Sequence, residues 1–112
     1  MSFYNLEDLE PGVPRSGADR HLAYESGVLF LNIVFEPGFE MAPHNHAWPA
    51  LYYVTGGTGI AMVGEEQKEL RAGVLAMIPA DTMHGIQATT RLSLIEVQAN
   101  CPQEFVNGIL GR

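Results

Sequence analysis

Residues 43–57 read Pro-His-Asn-His-Ala-Trp-Pro-Ala-Leu-Tyr-Tyr-Val-Thr-Gly-Gly and carry the most informative pattern in the chain. Its two histidines, His44 and His46, lie two positions apart. In a β-strand, residues at this spacing project from the same face of the sheet. Neutral imidazole is the commonest side-chain ligand of first-row transition metals. The pair therefore indicates part of a metal site, although such pairs also occur on solvent-exposed strands that bind no ion.

Short apolar stretches, broken by glycine and proline, surround this segment. They predict strands over residues 28–35, 40–46, 51–55, 59–63, 67–71, 74–79, 84–89 and 91–98. With the residues that follow Arg20, the chain holds roughly eight or nine short strands separated by turn residues, and it shows no convincing amphipathic helix. This pattern is typical of an all-β sandwich or barrel, and a single domain is the natural organisation for 112 residues.

Composition divides the chain into three segments. Residues 1–19 contain acidic residues and turn formers and are expected to form an irregular N-terminal arm. Residues 20–98 hold the predicted strands of the barrel, and residues 99–112 form a C-terminal segment that is either a short helix or an arm. Residues 28–35 are almost continuously apolar, which favours a strand buried on both faces. Because a small barrel does not need the second face to be buried, we expect a partner surface there.

Charge and cysteine content narrow the range of functions. The formal net charge of −7 disfavours nucleic acid and anionic membrane surfaces as partners, since both attract basic proteins. Cys101 is the only cysteine, so no intrachain disulfide and no cysteine-based zinc site is expected. The chain has neither a signal-like N-terminus nor an apolar run long enough to span a bilayer. We therefore expect a cytoplasmic protein.

A third histidine, His84, opens a later predicted strand, and ordered glycines accompany all three histidines. The first group consists of Gly38, His44, His46 and Gly57, and the second consists of Gly73, Pro79, Asp81, His84 and Ala88. In order and spacing, these groups resemble the paired motifs of the cupin superfamily across most of the chain. The resemblance implies a small single-domain cupin with a jelly-roll barrel, the double-stranded β-helix. Asp81 replaces a family glycine, a mild change because aspartate tolerates a positive φ.

One departure from the cupin motifs concerns the metal ligands. The family has a glutamate three or four residues after the histidine pair, whereas Ala50 or Leu51 stands at that position here. The resemblance therefore implies a metal site made of three histidines, His44, His46 and His84, without an acidic ligand. Such a site favours Fe, Ni, Zn or Cu over hard ions such as Mg²⁺.

Three other polar side chains are candidates for catalysis, and the fourth histidine is not. Tyr52 or Tyr53 faces the barrel interior, depending on the strand register, and a phenol there could orient a substrate or act as an acid. Glu96 stands in an apolar strand, where it could point into the barrel; the alternatives are an outward position or pairing with an arginine. His21 is isolated in the sequence and is interpreted as a surface residue.

The function implied by the resemblance is binding of a divalent transition metal through three histidines. We expect a metal-dependent enzyme of the dioxygenase, isomerase or lyase type, acting on a small organic acid, keto compound or sugar derivative. The alternative is a non-catalytic cupin barrel that binds a small molecule or serves a structural role. A homodimer is expected from the apolar strand over residues 28–35 and from the habit of the family.

Overall fold

The computed structural model describes residues 2–112 as a short 3-10 helix, ten strands and one α-helix. The elements in chain order are the 3-10 helix (Leu6–Asp8), β1 (Glu10–Pro11), β2 (Ala18–Glu25), β3 (Val28–Phe35), β4 (Glu40–His44), β5 (Ala50–Gly56), β6 (Gly59–Val63), β7 (Glu66–Leu70), β8 (Leu75–Ile78), β9 (His84–Ala88), β10 (Leu92–Gln98) and α1 (Gln103–Leu110). The predicted strands agree with these bounds to within two residues, because each is closed by turn residues that the sequence displays.

The strands form two antiparallel sheets. One has six strands in the order β1-β2-β3-β10-β5-β8, and the other has four in the order β4-β9-β6-β7. Strands from opposite ends of the chain are neighbours in both sheets, as in β3 with β10 and β4 with β9. The apolar faces of both sheets contribute to one buried core. The all-β jelly-roll barrel expected from the sequence is confirmed.

Strand β4 ends earlier than the sequence predicts. It stops at His44, and its pairing with β9 is irregular between Met41 and His44. Pro43 lies inside this irregular stretch and has no N–H to donate to a ladder. His46 instead lies beyond the strand, where its carbonyl accepts a hydrogen bond from the Asp81 N–H at 2.7 Å. The prediction that both histidines share one strand is therefore wrong, although their rings still converge.

Strand β3 alternates between buried and partly exposed residues. Leu29, Leu31, Ile33 and Phe35 are buried, whereas Val28 is half exposed. Within this chain, only one face of β3 is thus buried, because the strand lies inside an antiparallel sheet with one face on the core. The homodimer expected from this strand stays a prediction.

Both termini pack against the barrel. The N-terminal segment contains β1, which pairs with β2, and the C-terminal segment forms α1, whose Val106 and Ile109 are buried. The Val13 N–H donates to the Ile109 carbonyl at 2.8 Å, so the two termini contact each other. Residues of α1 also line a cavity in the barrel. Among residues 2–112, no helix is long and apolar enough to cross a lipid bilayer.

Candidate metal centre

The structure brings three histidines together at one end of the four-stranded sheet. His44 at the end of β4 is paired directly with His84 at the start of β9. Their ring centroids are 4.3 Å apart, and the ring of His46 lies 5.0 and 5.1 Å from those of His44 and His84, respectively. One ring nitrogen from each histidine lies within 4.8 Å of the other two. This cluster could hold a metal ion.

Backbone carbonyls set the orientation of two of these rings. His44 Nδ1 lies 2.9 Å from the Ala42 carbonyl, and His84 Nδ1 lies 2.9 Å from the Thr82 carbonyl. A carbonyl only accepts, so Nδ1 carries the proton in each ring and the Nε2 lone pair is left available. His84 Nε2 is buried and has no hydrogen-bond partner among the described residues. A buried imidazole with an unpartnered acceptor nitrogen fits a metal ligand.

The protonation states also suit metal binding. Burial, together with the neighbouring His44 and His84, lowers the pKa of His46 from its ordinary 6.5 to about 4. Burial lowers the pKa of His84 as well, against the opposing effect of the Thr82 carbonyl. These two imidazoles are therefore neutral at pH 7, the form in which histidine donates a lone pair to a metal.

The structure also locates the two departures from the cupin motifs. Ala50 is buried on the inward face of β5, beside Gln98 on β10, and Leu51 lies on the opposite face. The position for an acidic ligand thus holds a methyl group. Asp81 adopts φ 61°, a left-handed conformation that aspartate tolerates better than most residues.

A hydrogen-bonded network connects the cluster to the six-stranded sheet, and the sequence did not reveal it. The indole of Trp48 stacks on His46, with centroids 5.2 Å apart and planes within 10°. Trp48 Nε1 donates to Gln98 Oε1 at 2.7 Å, and Gln98 Nε2 donates to Glu96 Oε2 at 2.7 Å. Because the indole can only donate, the Gln98 amide is held in this orientation. The available signal was that Gln98 has the strand parity of Glu96.

Glu96 and Tyr52 both point into the barrel. Glu96 is 6% exposed, and burial raises its pKa from 4.5 to about 7, against the lowering effects of Gln98 and Arg20. Tyr52, opposite Glu96 in the sheet, is 1% exposed, and its hydroxyl has no partner among the described residues. Burial, and then the Glu96 charge, raise the pKa of Tyr52 well above its ordinary value. Tyr53, at 44% exposure, lies on the outer face.

A cavity of about 590 Å³ is lined by Glu96 and by two of the three histidines, whereas Tyr52 and His84 are not among its lining residues. Its polar lining includes His44, His46, Glu96 and Gln98, with Arg15, Arg20 and Glu104. Its apolar walls come from the inward residues of β2 and β3 and from helix α1, which contributes Phe105 and Ile109. The size and mixed lining are those of a site for a small organic molecule.

Two other residues lie outside the site. His21 is on the surface, where its Nε2 lies 3.1 Å from Asp19 Oδ1, as the sequence indicated. Cys101 is buried, and burial together with the Glu96 charge raises the pKa of its thiol to about 11. At neutral pH it is an unreactive thiol, since the thiolate is the nucleophilic form.

Comparison with known proteins gives the class of the chain. The family model described as the cupin domain matches residues 31–98, which is more than half of the sequence. This protein therefore belongs to the cupin family.

Individual relatives extend this comparison. The chain is 41% identical over 54 residues to dimethylsulfoniopropionate lyase DddW of Ruegeria pomeroyi, a match that spans 48% of this chain and 36% of DddW. Its fold resembles an RmlC-like cupin from Shewanella frigidimarina, with TM-score 0.85, 24% identity, and coverage of 94% and 96% of the two chains. KdgF from Halomonas sp. is similarly close, with TM-score 0.84, 20% identity, and coverage of 94% and 98%. The two structural likenesses show the fold alone.

Proposed function

We propose that this protein is a metal-dependent enzyme of the lyase or isomerase type that moves a proton on a small organic acid. His44, His46 and His84 would hold a divalent transition metal, Fe, Ni, Zn or Cu. The observation that carries the proposal is Glu96, a buried carboxyl in the same cavity with a pKa of about 7. A general acid or base works best when its pKa lies near the working pH.

The residues present fit such a metal. His84 offers an unpartnered buried Nε2, and the carbonyls of Ala42 and Thr82 hold the tautomers that leave Nε2 available on His44 and His84. Three neutral imidazoles leave the full charge of a divalent ion in place. When bound, the ion would supply Lewis-acid polarisation of a carbonyl or carboxylate oxygen, which makes an adjacent C–H more acidic.

The side chains of the six-stranded sheet would handle the proton. Gln98 engages Oε2 of Glu96, which holds the carboxyl in place and leaves Oε1 to exchange a proton with the substrate. The Tyr52 hydroxyl has no partner among the described residues but does not line the cavity, so we assign it no contact with the substrate. Phe105 and Ile109 of α1 line part of the cavity, and these apolar side chains would limit water around the reacting carbon.

The relative DddW supports the lyase type of chemistry. It is described as a lyase of a sulfonium carboxylate, and it is 41% identical to this chain over the 54 matched residues. Elimination from such a compound needs a base that removes the proton next to the carboxylate while the C–S bond breaks. Glu96 supplies a base of suitable pKa.

A non-catalytic binding barrel is the second candidate, and the observation that favours it is Ala50. The inward position at which the family has an acidic ligand carries a methyl group. In that case, the three histidines and the cavity would retain a small molecule without converting it.

Exchange of substrate protons for deuterium distinguishes the two candidates. Protein reconstituted with Fe²⁺, Ni²⁺, Zn²⁺ or Cu²⁺ is incubated in D₂O with dimethylsulfoniopropionate, succinate, 3-hydroxypropionate and 2-oxobutyrate, and NMR follows the α-protons and any alkene product. Glu96→Gln should lower the exchange rate by about 10²- to 10⁴-fold, while the exposed control Glu69→Gln keeps it. Equal rates in Glu96→Gln and the native protein, or no exchange with any compound and metal, would overturn the enzyme proposal.

A further inference from the structure

Arg20 carries a positive charge on the inward face of the barrel wall. It lies on β2 between Ala18 and Leu22, both buried, and it lines the same cavity as the histidines. Nη2 of Arg20 donates to the Val13 carbonyl at 3.2 Å. Its Nε is buried and has no hydrogen-bond partner in the described part of the chain. Burying a guanidinium N–H without a hydrogen-bond acceptor costs free energy of folding. Packing alone therefore does not explain why an arginine stands at this position.

The charges facing Arg20 do not neutralise it. The other charged groups that line the cavity are Arg15, Glu96 and Glu104. Within residues 2–112, no carboxylate lies at ion-pair distance from Arg20. Arg15 adds a like charge that faces the Phe39 ring at 5.1 Å, Glu104 is exposed on α1, and Glu96 is only partly ionised at pH 7. This end of the cavity is therefore positive and suits an anion.

The strand register places Arg20 two residues along β3 from Glu96, on the side away from Gln98. Along β3, the partner of Gln98 is Leu29, the partner of Glu96 is Leu31, and the partner of Arg20 is Ile33. Gln98 is the member of this row that connects through Trp48 to His46. At ~4.8 Å between strands and ~3.4 Å per residue, the Cα atoms of Arg20 and Glu96 are about 12 Å apart. The long arginine side chain reaches across part of that distance.

We propose that Arg20 is the residue that binds the carboxylate of the substrate, in the cavity that it lines together with His44 and His46. This inference rests on the proposed function and narrows its substrate class. The ligand is a small acid with two oxygen groups, one carboxylate on the Arg20 guanidinium and a carbonyl, hydroxyl or second carboxylate at the histidines. The carbon between them lies beside Glu96. A sulfonium carboxylate, with one oxygen group only, is expected to bind less well than such an acid.

Binding to the metal-free protein tests this role without any need for turnover. NMR titration measures the Kd of succinate and of its neutral analogue succinamide for the native protein and for variants. We expect succinate to bind more tightly than succinamide, and Arg20→Gln to weaken succinate binding by at least about tenfold, since the carboxylate would lose a charge-assisted hydrogen bond. Arg20→Lys keeps the positive charge but loses the planar guanidinium that can donate two hydrogen bonds to a carboxylate. Its Kd for succinate should lie between those of the native protein and Arg20→Gln. The exposed control Arg91→Gln should change neither Kd.

The outcomes separate this inference from the proposed function. Equal affinity for succinate and succinamide, or an unchanged succinate Kd in Arg20→Gln, would overturn the role of Arg20. If Arg20→Gln fails to fold, the Kd of succinate is measured for Arg20→Lys instead. A Kd for Arg20→Lys equal to that of the native protein would count against the proposal. Because no metal and no reaction are involved, a loss of succinate binding in Arg20→Gln would stand even if deuterium exchange showed no catalysis.

Discussion

The two sheets of the barrel differ in the chemistry that they present to the cavity. The four-stranded sheet contributes the imidazole of His44 at the end of β4, and His84 at the start of β9 lies beside it. The six-stranded sheet contributes a guanidinium, a carboxyl and an amide, from Arg20, Glu96 and Gln98. Groups suited to hold an ion and groups suited to hold and deprotonate a substrate thus lie on facing walls.

The two walls also hold their polar groups in different ways. His44 and His84 lie at strand ends. The carbonyls of Ala42 and Thr82, each two residues earlier in the sequence, fix the orientation of their rings. Tyr52 and Glu96 lie within their strands, and the strand alternation alone turns them inward. Metal binding and acid–base behaviour should therefore respond to different substitutions, and the following predictions test that separation, beginning with the largest effect.

The first prediction removes a ligand from the four-stranded sheet. His44→Ala should lower the affinity for Ni²⁺ or Zn²⁺ by more than about 100-fold, since even residues that only support metal ligands contribute 10–100-fold. His21→Ala is the matched control, because that histidine is on the surface. Competition titration with a chromophoric chelator measures both affinities. Equal affinities in the two variants would place the metal elsewhere.

The second prediction concerns pH and the six-stranded sheet. Glu96 has a pKa of about 7 in the folded protein, against 4.5 ordinarily, so the folded state binds its proton more tightly than the unfolded state. Stability from this group is greatest below pH 4.5 and is lost as the pH rises through 7, by on the order of 3 kcal/mol. Urea unfolding of metal-free protein should show Glu96→Gln more stable than the native protein at pH 8 and the difference reduced or reversed at pH 5.

The histidines respond to pH in the opposite direction. The lowered pKa of His46 removes stability as the pH falls from 6.5 towards 4. Since this contribution is the same in the native protein and in Glu96→Gln, the difference between them isolates Glu96. A difference that does not change with pH would contradict the assignment of a raised pKa to Glu96.

The third prediction breaks the network that joins the walls. Gln98→Leu leaves the Trp48 Nε1–H without its acceptor and should reduce the free energy of unfolding by about 1–3 kcal/mol. Gln67→Leu, at an exposed position of β7, is the control for the added apolar side chain. Chemical denaturation measures both. Metal affinity should stay within a few fold, because Gln98 supports no histidine by a hydrogen bond; a large loss would contradict the separation of the walls.

The fourth prediction adds an acidic group to the six-stranded sheet. Ala50→Glu places a carboxylate at the inward position, whereas Leu51→Glu places one on the outer face. Carboxylates suit Mn²⁺ better than imidazoles do, so Ala50→Glu should raise Mn²⁺ affinity by about tenfold and Leu51→Glu should leave it unchanged. Calorimetric titration of the two variants distinguishes them, and a gain in Leu51→Glu would show that the register of β5 is wrong.

The sequence predicted one wall of the site better than the other. The sequence indicated His44, His46 and His84 as metal-ligand candidates, because the spacing of the histidines and the order of the glycines can be read directly from it. Arg20 and Gln98 were missed, since their role depends on the cross-strand register that sets β2 beside β3 and β10 beside β5. The strand bounds followed from glycine and proline turns, but the irregular end of β4 depends on pairing with β9 and was not predicted.

We propose that three histidines hold a transition metal and that Glu96 acts separately from it. Elemental analysis checks this in the native protein, His84→Ala and Glu96→Gln, each purified without chelator or nickel resin and then reconstituted. We predict about one equivalent of metal in the native protein and in Glu96→Gln and none retained in His84→Ala, since one site of three ligands loses one of them. No metal in the native protein, or equal loss in both variants, would contradict the account.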